Sequence, residues 1–481
     1  MKSFLKGLLI LLAVLLPFGA LTAAVFGKNV YGGTFMGELG EKCDRLHSVT
    51  EPKVIVVGGS SVAFGLDSKM LEDALGMPVV NFGLYATLGT KLMLDLSEDE
   101  VREGDVVVIA PELDSQTLSL YFNAEATWQA FDGNLSLLRK IKKENRSEMA
   151  AASIGFAGSK IRHIKDGGIK SEGVYAKSSF DEYGDIVFDR PYNVMKFGYD
   201  VNKPVSFGTE QYSEDFLCYL SDYIASCREK GARVCYSFPP VNESGVSPET
   251  EDGDYQKLYS FLAERLDCEI IGSPKGYILD QKYFYDSNFH TNSAGTKHHT
   301  AHLALDLRRM LGMTDIIAFD LPEPEEKPAD AENTEQDDGT DDGLFVYAEK
   351  TDNKGKLIGY TVVGTTDDGK LMAELELPRS HGGKPVMELG KGALGGCTGL
   401  RKLTIRDNIV SIVSGAFENC PNLKAIHIYN EDESTMCVDQ VRLFDGAADG
   451  ITIYLHSEKS YESYITGYFW ANYAGKMKLE T

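Results

Sequence analysis

The stretch Lys53-Val54-Ile55-Val56-Val57-Gly58-Gly59-Ser60-Ser61 decides how the rest of the chain is read. Four consecutive apolar residues run into two glycines and then two serines. A short apolar run closed by glycine is the pattern of a fully buried parallel strand. Helical periodicity follows at Met70, Leu71, Ala74 and Leu75, with Asp67 and Ser68 placed to cap the helix. A strand ending in Gly-Gly-Ser before a helix sets a hydroxyl at the carboxyl edge of the sheet, where open α/β sheets bind ligands. Ser60 is therefore a candidate nucleophile.

Working outward, 481 residues are too many for one hydrophobic core, so two or three domains are expected. The composition, 43% hydrophobic and 25% charged, is that of a globular protein. A formal net charge of −24 argues against a nucleic-acid partner, whose phosphates need a basic surface. Eight cysteines without a C-x-x-C pair make no disulfide framework, and Cys218, Cys227 and Cys235 read as small core residues. At the amino end, Lys2 and Lys6 precede Gly7–Phe26, a run without charge and close to the ~20 residues that span a bilayer. The expectation for residues 1–27 is a membrane anchor with the bulk of the chain outside the cell. A cleaved signal peptide is the rival, since Pro17 and Gly19 interrupt the run and Thr22-Ala23-Ala24 is a passable cleavage site.

Residues 28–51 read as a polar stalk. Beyond it lie five strand-like runs, Val54–Val57, Val79–Asn81, Val106–Ile109, Arg233–Phe238 and Glu269–Ile271. Amphipathic helices are expected at Gln211–Lys230, Asp254–Asp267 and Ser293–Leu311. Strands alternating with helices imply a three-layer α/β domain over residues 52–312, built on a five-stranded parallel sheet. Residues 114–208 break that rhythm and read as an insertion over the carboxyl edge. Residues 313–343 read as a linker, because from Asp320 to Gly343 eleven acidic residues face only Lys327, with three prolines.

After the linker a repeat with a period of 23 residues appears. Gly392-Ala393-Leu394 recurs as Gly415-Ala416-Phe417, Cys397 as Cys420, Leu400 as Leu423, Leu403 as Ile426 and Ile405 as Ile428. Each turn of such a repeat inserts apolar residues into a shared core and cannot stand alone. Cys397 and Cys420 would then stack as buried rungs. Residues 344–481 resemble the BspA-type leucine-rich repeats of bacterial surface proteins, which implies a short solenoid holding a surface protein or glycan.

The second chemical segment is Asp286-Ser287-Asn288-Phe289-His290-Thr291-Asn292-Ser293-Ala294-Gly295. A serine hydroxyl needs a base, histidine suits that task near neutrality, and the base needs a carboxylate to fix its tautomer. The blander reading is that His290 and Asn292 only cap the last helix. Taken together, Gly58-Gly59-Ser60 and Asp286…His290-x-Asn292…Gly295 resemble the first and last blocks of the SGNH/GDSL hydrolase family.

That resemblance implies a flavodoxin-like strand order, Ser60 as nucleophile with Ser61 as fallback, His290 as base and Asp286 as orienting acid. It also implies oxyanion or substrate contacts from Gly83 or Ala86, from Asn292, and from the third block, where Glu112 stands in place of the family's asparagine. Asp286 lies four residues before the histidine, where the common family spacing is three. No cofactor and no metal are implied; His298, His299 and His302 read as structural. Arg190, Tyr192 and Asn193 read either as a sugar or phosphate site or as loop packing. The function expected is an exported, membrane-anchored serine esterase or O-acyltransferase acting on an acylated envelope glycan or polysaccharide. The alternative is a noncatalytic surface-binding protein with a degenerate hydrolase domain.

Overall fold

The computed structural model of the chain describes residues 25–327 and 343–480, apart from residues 166, 170, 196–197, 202, 352–354, 414, 432–436, 439–442, 445–449 and 467–469. The predicted anchor lies almost entirely outside the described residues, as does the stretch 328–342 of the acidic linker. Among the described residues, no helix is long and apolar enough to cross a membrane.

The apolar run after Lys53 becomes the strand Val54–Gly58, buried at all five positions. It pairs in parallel with Val79–Gly83 on one side and Val106–Ala110 on the other. Arg233–Tyr236 and then Glu269–Ile270 extend the same parallel sheet. Counted along the chain, the strand order is 2-1-3-4-5, one of the two common doubly wound orders. Side chains alternate across the sheet. Val54, Val56, Val106 and Val108 pack against Leu71 and Leu75 of the helix Ser68–Leu75, and against Leu303 and Leu307 of the helix Ser293–Met310. The helices Thr90–Glu98 and Glu214–Glu229 also pack on the sheet and on each other. Each Val or Leu so buried contributes about 1.5–3 kcal/mol. This mixed α/β architecture with a five-stranded parallel sheet is what the strand runs implied.

Several boundaries differ from those expected. A helix, Ser60–Gly65, begins on Ser60 itself, ahead of the one capped by Asp67. All six of its residues are buried, so it carries no polar–apolar period to read. Residues 28–51 are not a stalk. A helix at Leu39–Ser48 buries Leu39, Cys43 and Leu46, and Lys42 reaches the carbonyls of Asn81 and Gly184. The buried lysine on that face hid the helical stripe. The linker also starts later than its composition suggested. Met313, Ile317 and Phe319 pack on the core, and Glu323 accepts hydrogen bonds from Lys282 and Tyr283. Cys227 and Cys235 are buried as expected, but Cys218 is exposed on the outer side of its helix.

By compactness the chain forms two units. The first comprises the residues up to Asn193, Val205–Glu243 and Glu249–Glu325; the second comprises Val194–Pro204, Ser244–Pro248 and the residues from Glu326 on. The expected insertion 114–208 is thus divided: its helices Ala124–Ala130 and Arg146–Lys165 belong to the first unit and Val194–Pro204 to the second.

In the second unit the strands Glu374–Glu376, Lys402–Ile405, Ala425–Ile428, Thr452–Leu455 and Met477–Leu479 form one parallel sheet. Leu403 registers with Ile426 and Ile405 with Ile428, so positions 23 residues apart in sequence are ladder neighbours. Cys397 and Cys420 are buried free thiols.

Candidate active site

The carboxyl ends of the first and third strands and the loop before the last helix meet at Ser60. His290 Nε2 lies 2.8 Å from Ser60 Oγ, although 230 residues separate them in sequence. On the other side of the ring, His290 Nδ1 lies 2.7 Å from Asp286 Oδ1, and the phenol of Tyr175 donates to Asp286 Oδ2 at 2.7 Å. Phe64 lies flat on the imidazole, with ring centroids 4.1 Å apart and an interplanar angle of 6°. The His290 ring is therefore held at both nitrogens and on one face.

Glu112, at the end of the third strand, completes the arrangement. Its Oε1 is 2.8 Å from Ser60 Oγ and accepts the N–H of Ser61 at 2.7 Å. Burial pushes the Glu112 carboxyl above the usual carboxylate range, and Asp114 adds to this; His290 and the Ser61 and Ser60 hydrogen bonds oppose it. Gly59 makes the approach possible: a Cβ there would stand 2.9 Å from Glu112 Oε1.

Ser60 has one hydroxyl proton and two close partners. With Glu112 neutral, Glu112 donates to Ser60 and Ser60 donates to a neutral His290. With Glu112 ionised at the same proton count, Ser60 donates to the carboxylate and an imidazolium donates to Ser60. Only the first arrangement points the serine proton at a base ready to take it.

The other expected site residues fall into two groups. Ala86 opens a single 3-10 turn, Ala86–Leu88, so its N–H is one that a helix start leaves without an intrahelical partner. Its Cα lies 3.5 Å from where a Cβ on Gly59 would be, which places it beside the serine. Gly83, Asn292 and the Ser61 hydroxyl are not engaged at the site in the roles expected. The Gly83 N–H donates to Asn81 Oδ1, and a Cβ on it would run into Val62 and the Gly59 carbonyl. Asn292 caps the last helix, accepting the Gly295 N–H through Oδ1 and donating Nδ2 to the Lys282 carbonyl, so both its polar atoms are occupied. The Ser61 hydroxyl is buried without a hydrogen-bond partner among the described residues.

Arg190 is a packing residue. It is 1% exposed, donates to the carbonyls of Thr291, Ile186 and Phe188, and covers the Phe64 ring. Asn193 donates to the Gln281 carbonyl. The histidines of the last helix turn to separate partners: His299 to the Gly65 carbonyl, His298 to the Pro322 carbonyl and His302 to Asp306. Burial pushes His299 down to about 4.

Sequence reasoning missed Tyr175 and Phe64. Nothing in the composition of their segments marks either one, because both act through the loop and helix that carry them to the histidine. A charged hollow of about 470 Å³ lies elsewhere, lined by Glu38, Lys42, Arg45, Lys177, Phe180 and Asp181 among others. It sets the Lys42 amine near the Glu38 carboxyl and brings no serine to a histidine.

No protein-family model and no curated protein matches the sequence. Among solved structures, a leucine rich cell surface protein from Faecalibacterium prausnitzii is similar at 20% identity, with 26% of this chain and 34% of that chain covered and a TM-score of 0.18. The chain thus spans about a third of that protein's length, and a likeness so slight bears on neither fold nor activity.

Proposed function

We propose that the first unit is an SGNH-type serine hydrolase or O-acyltransferase acting on acyl esters of cell-envelope or extracellular carbohydrate. One observation carries this reading: the unbroken line of hydrogen bonds from Asp286 through His290 to Ser60. In it, Ser60 Oγ attacks the acyl carbonyl while its proton passes to His290 Nε2. The negative charge that forms on the carbonyl oxygen is met by backbone N–H groups, those of Ser60 and Ala86 being the candidates at two element starts. His290 then returns the proton to the leaving alkoxide, which leaves an acyl-serine. Water or a sugar hydroxyl, deprotonated by the same imidazole, takes the acyl group and restores Ser60.

In this reading the 23-residue repeat builds a leucine-rich solenoid that holds a surface protein or glycan. The apolar N-terminal segment tethers the enzyme to the membrane at the cell surface. A fluorophosphonate probe is the direct test: it labels the wild type and not Ser60→Ala. Purified protein given acetylated and D-alanylated envelope polymers then identifies the acyl group and the acceptor. A second reading, a noncatalytic surface-binding protein, is favoured by Glu112, whose carboxylate form would hold the serine proton away from His290. Folded wild type that takes no label supports it.

A further inference from the structure

Away from Ser60, the second unit carries three ligand-type side chains at one end of its parallel sheet. Ala425–Ile428 pairs with Thr452–Leu455, and that strand with Met477–Leu479. Ile426, Ile428, Ile453 and Leu455 point into the core, while His427 and Tyr454 stand on the other face. Just past the strand ends, Tyr429 and His456 stack with ring centroids 4.0 Å apart, and His427 stacks on Tyr454 at 4.7 Å. This stacking fixes both imidazoles. His427 Nδ1 lies 3.2 Å from His456 Nε2 and 3.1 Å from Glu480 Oε2. One ligand atom from each residue falls within 4.8 Å of the other two.

Protons alone satisfy this cluster poorly. If His427 Nδ1 carries a proton, that proton must serve both the carboxylate and the second imidazole. If it carries none, it can accept the Nε2–H of His456 at 3.2 Å, but its lone pair then also faces the Glu480 carboxylate at 3.1 Å. A cation between the three would accept all the lone pairs at once. In a tetrahedral zinc shell with bonds of about 2.0–2.1 Å, neighbouring ligand atoms stand roughly 3.3 Å apart, close to the two separations from His427, while His456 Nδ1 stands 3.9 Å from Glu480 Oε2. Two imidazoles and a carboxylate form a borderline donor set suited to zinc.

We propose that His427, His456 and Glu480 form a zinc site on the outer face of this sheet, with the fourth position left to water. Full-length protein stripped with a chelator and titrated calorimetrically with zinc chloride tests it. The expected result is one zinc per chain and a higher melting temperature with zinc. His427→Ala and His456→Ala should each weaken binding by more than the roughly 10–100-fold that loss of an outer-shell partner costs, and should abolish the zinc-dependent rise. His302→Ala should change neither. Zinc uptake undiminished in both variants, or no uptake by the wild type, overturns the proposal. Should an alanine variant fail to fold, cobalt(II) added to the wild type decides: intense visible absorption of a tetrahedral nitrogen–oxygen shell supports the site, and the weak spectrum of the hydrated ion overturns it.

Discussion

Ser60 Oγ and Glu112 Oε1 lie 2.8 Å apart, so the hydroxyl proposed as nucleophile has a carboxyl group on one side and an imidazole on the other. A carboxylate in place of an oxyanion-binding asparagine reads in sequence as a liability. In the fold it is a proton partner of the serine.

If the serine is the nucleophile, Ser60→Ala and His290→Ala should lower esterase activity by more than about 10⁴-fold. Ser61→Ala should stay within about threefold of wild type, because the Ser61 hydroxyl touches no partner and only its N–H engages Glu112. Hydrolysis of a chromogenic acetyl ester with each purified variant is the measurement. A Ser61→Ala loss as deep as that of Ser60→Ala would assign the reaction to the other serine.

Glu112 should impose a pH dependence whose sign is set by its raised pKa. The neutral acid holds the serine proton toward His290, so activity falls as pH rises through that value. Glu112→Gln keeps a donor and an acceptor there at every pH. The ratio of variant to wild-type kcat/KM should therefore climb with pH. The same linkage acts on stability: a raised carboxyl favours the fold below its unfolded pKa, and that advantage is lost as pH rises through the folded value. The urea midpoint of Glu112→Gln should accordingly fall less over that window than that of wild type. A ratio flat across pH would remove Glu112 from the proton inventory.

Asp286 and Tyr175 should separate in magnitude. Asp286→Asn removes the carboxylate that sets the His290 tautomer and should lower kcat by about 10⁴-fold. Tyr175→Phe removes one hydrogen bond to the far oxygen of Asp286 and should lower kcat by about tenfold, in line with a net bond to a charged group of about 1.5–3 kcal/mol that is only partly expressed in the rate. Steady-state kinetics on the two variants, with KM and kcat resolved, checks the order.

At the opposite end of the first strand, Lys53 and Asp105 form an ion pair in which both side chains are fully buried, with Nζ to Oδ2 at 3.0 Å. Asp105 also accepts the N–H groups of Lys53 and Arg102. Asp105→Ala leaves an uncompensated buried ammonium and should cost about 3–5 kcal/mol of stability. Urea denaturation followed by circular dichroism reads this. The native fraction should retain the Ser60 label, since the pair lies away from the carboxyl edge.

Truncation at residue 51, where composition alone would cut, should destabilise the first unit. It removes Leu39 and Leu46, both 0% exposed, together with the Lys42 bonds to Asn81 and Gly184. Loss of each leucine is comparable to a cavity substitution of about 2–5 kcal/mol. A truncated chain with an unchanged melting temperature would show the helix Leu39–Ser48 to be an appendage.

The amino-acid order alone determined the parallel sheet, because strands buried on both faces must be written as unbroken apolar runs such as Val54–Val57 and Val106–Ile109. It also marked Ser60, just after the first strand, and Asp286 and His290, in the loop before the last helix. Tertiary structure decided which groups meet them. Tyr175 reaches Asp286 from a remote segment, Phe64 reaches His290 from the helix that begins on Ser60, and Glu112, expected near the site from its place after the third strand, bonds the serine itself. It likewise committed Asn292 to a helix cap and the Gly83 N–H to the Asn81 side chain, because a buried N–H or amide takes the nearest partner that satisfies it. Periodicity records burial, and burial is local enough to read. The pairing of polar groups depends on distances between remote segments, which only the folded chain sets.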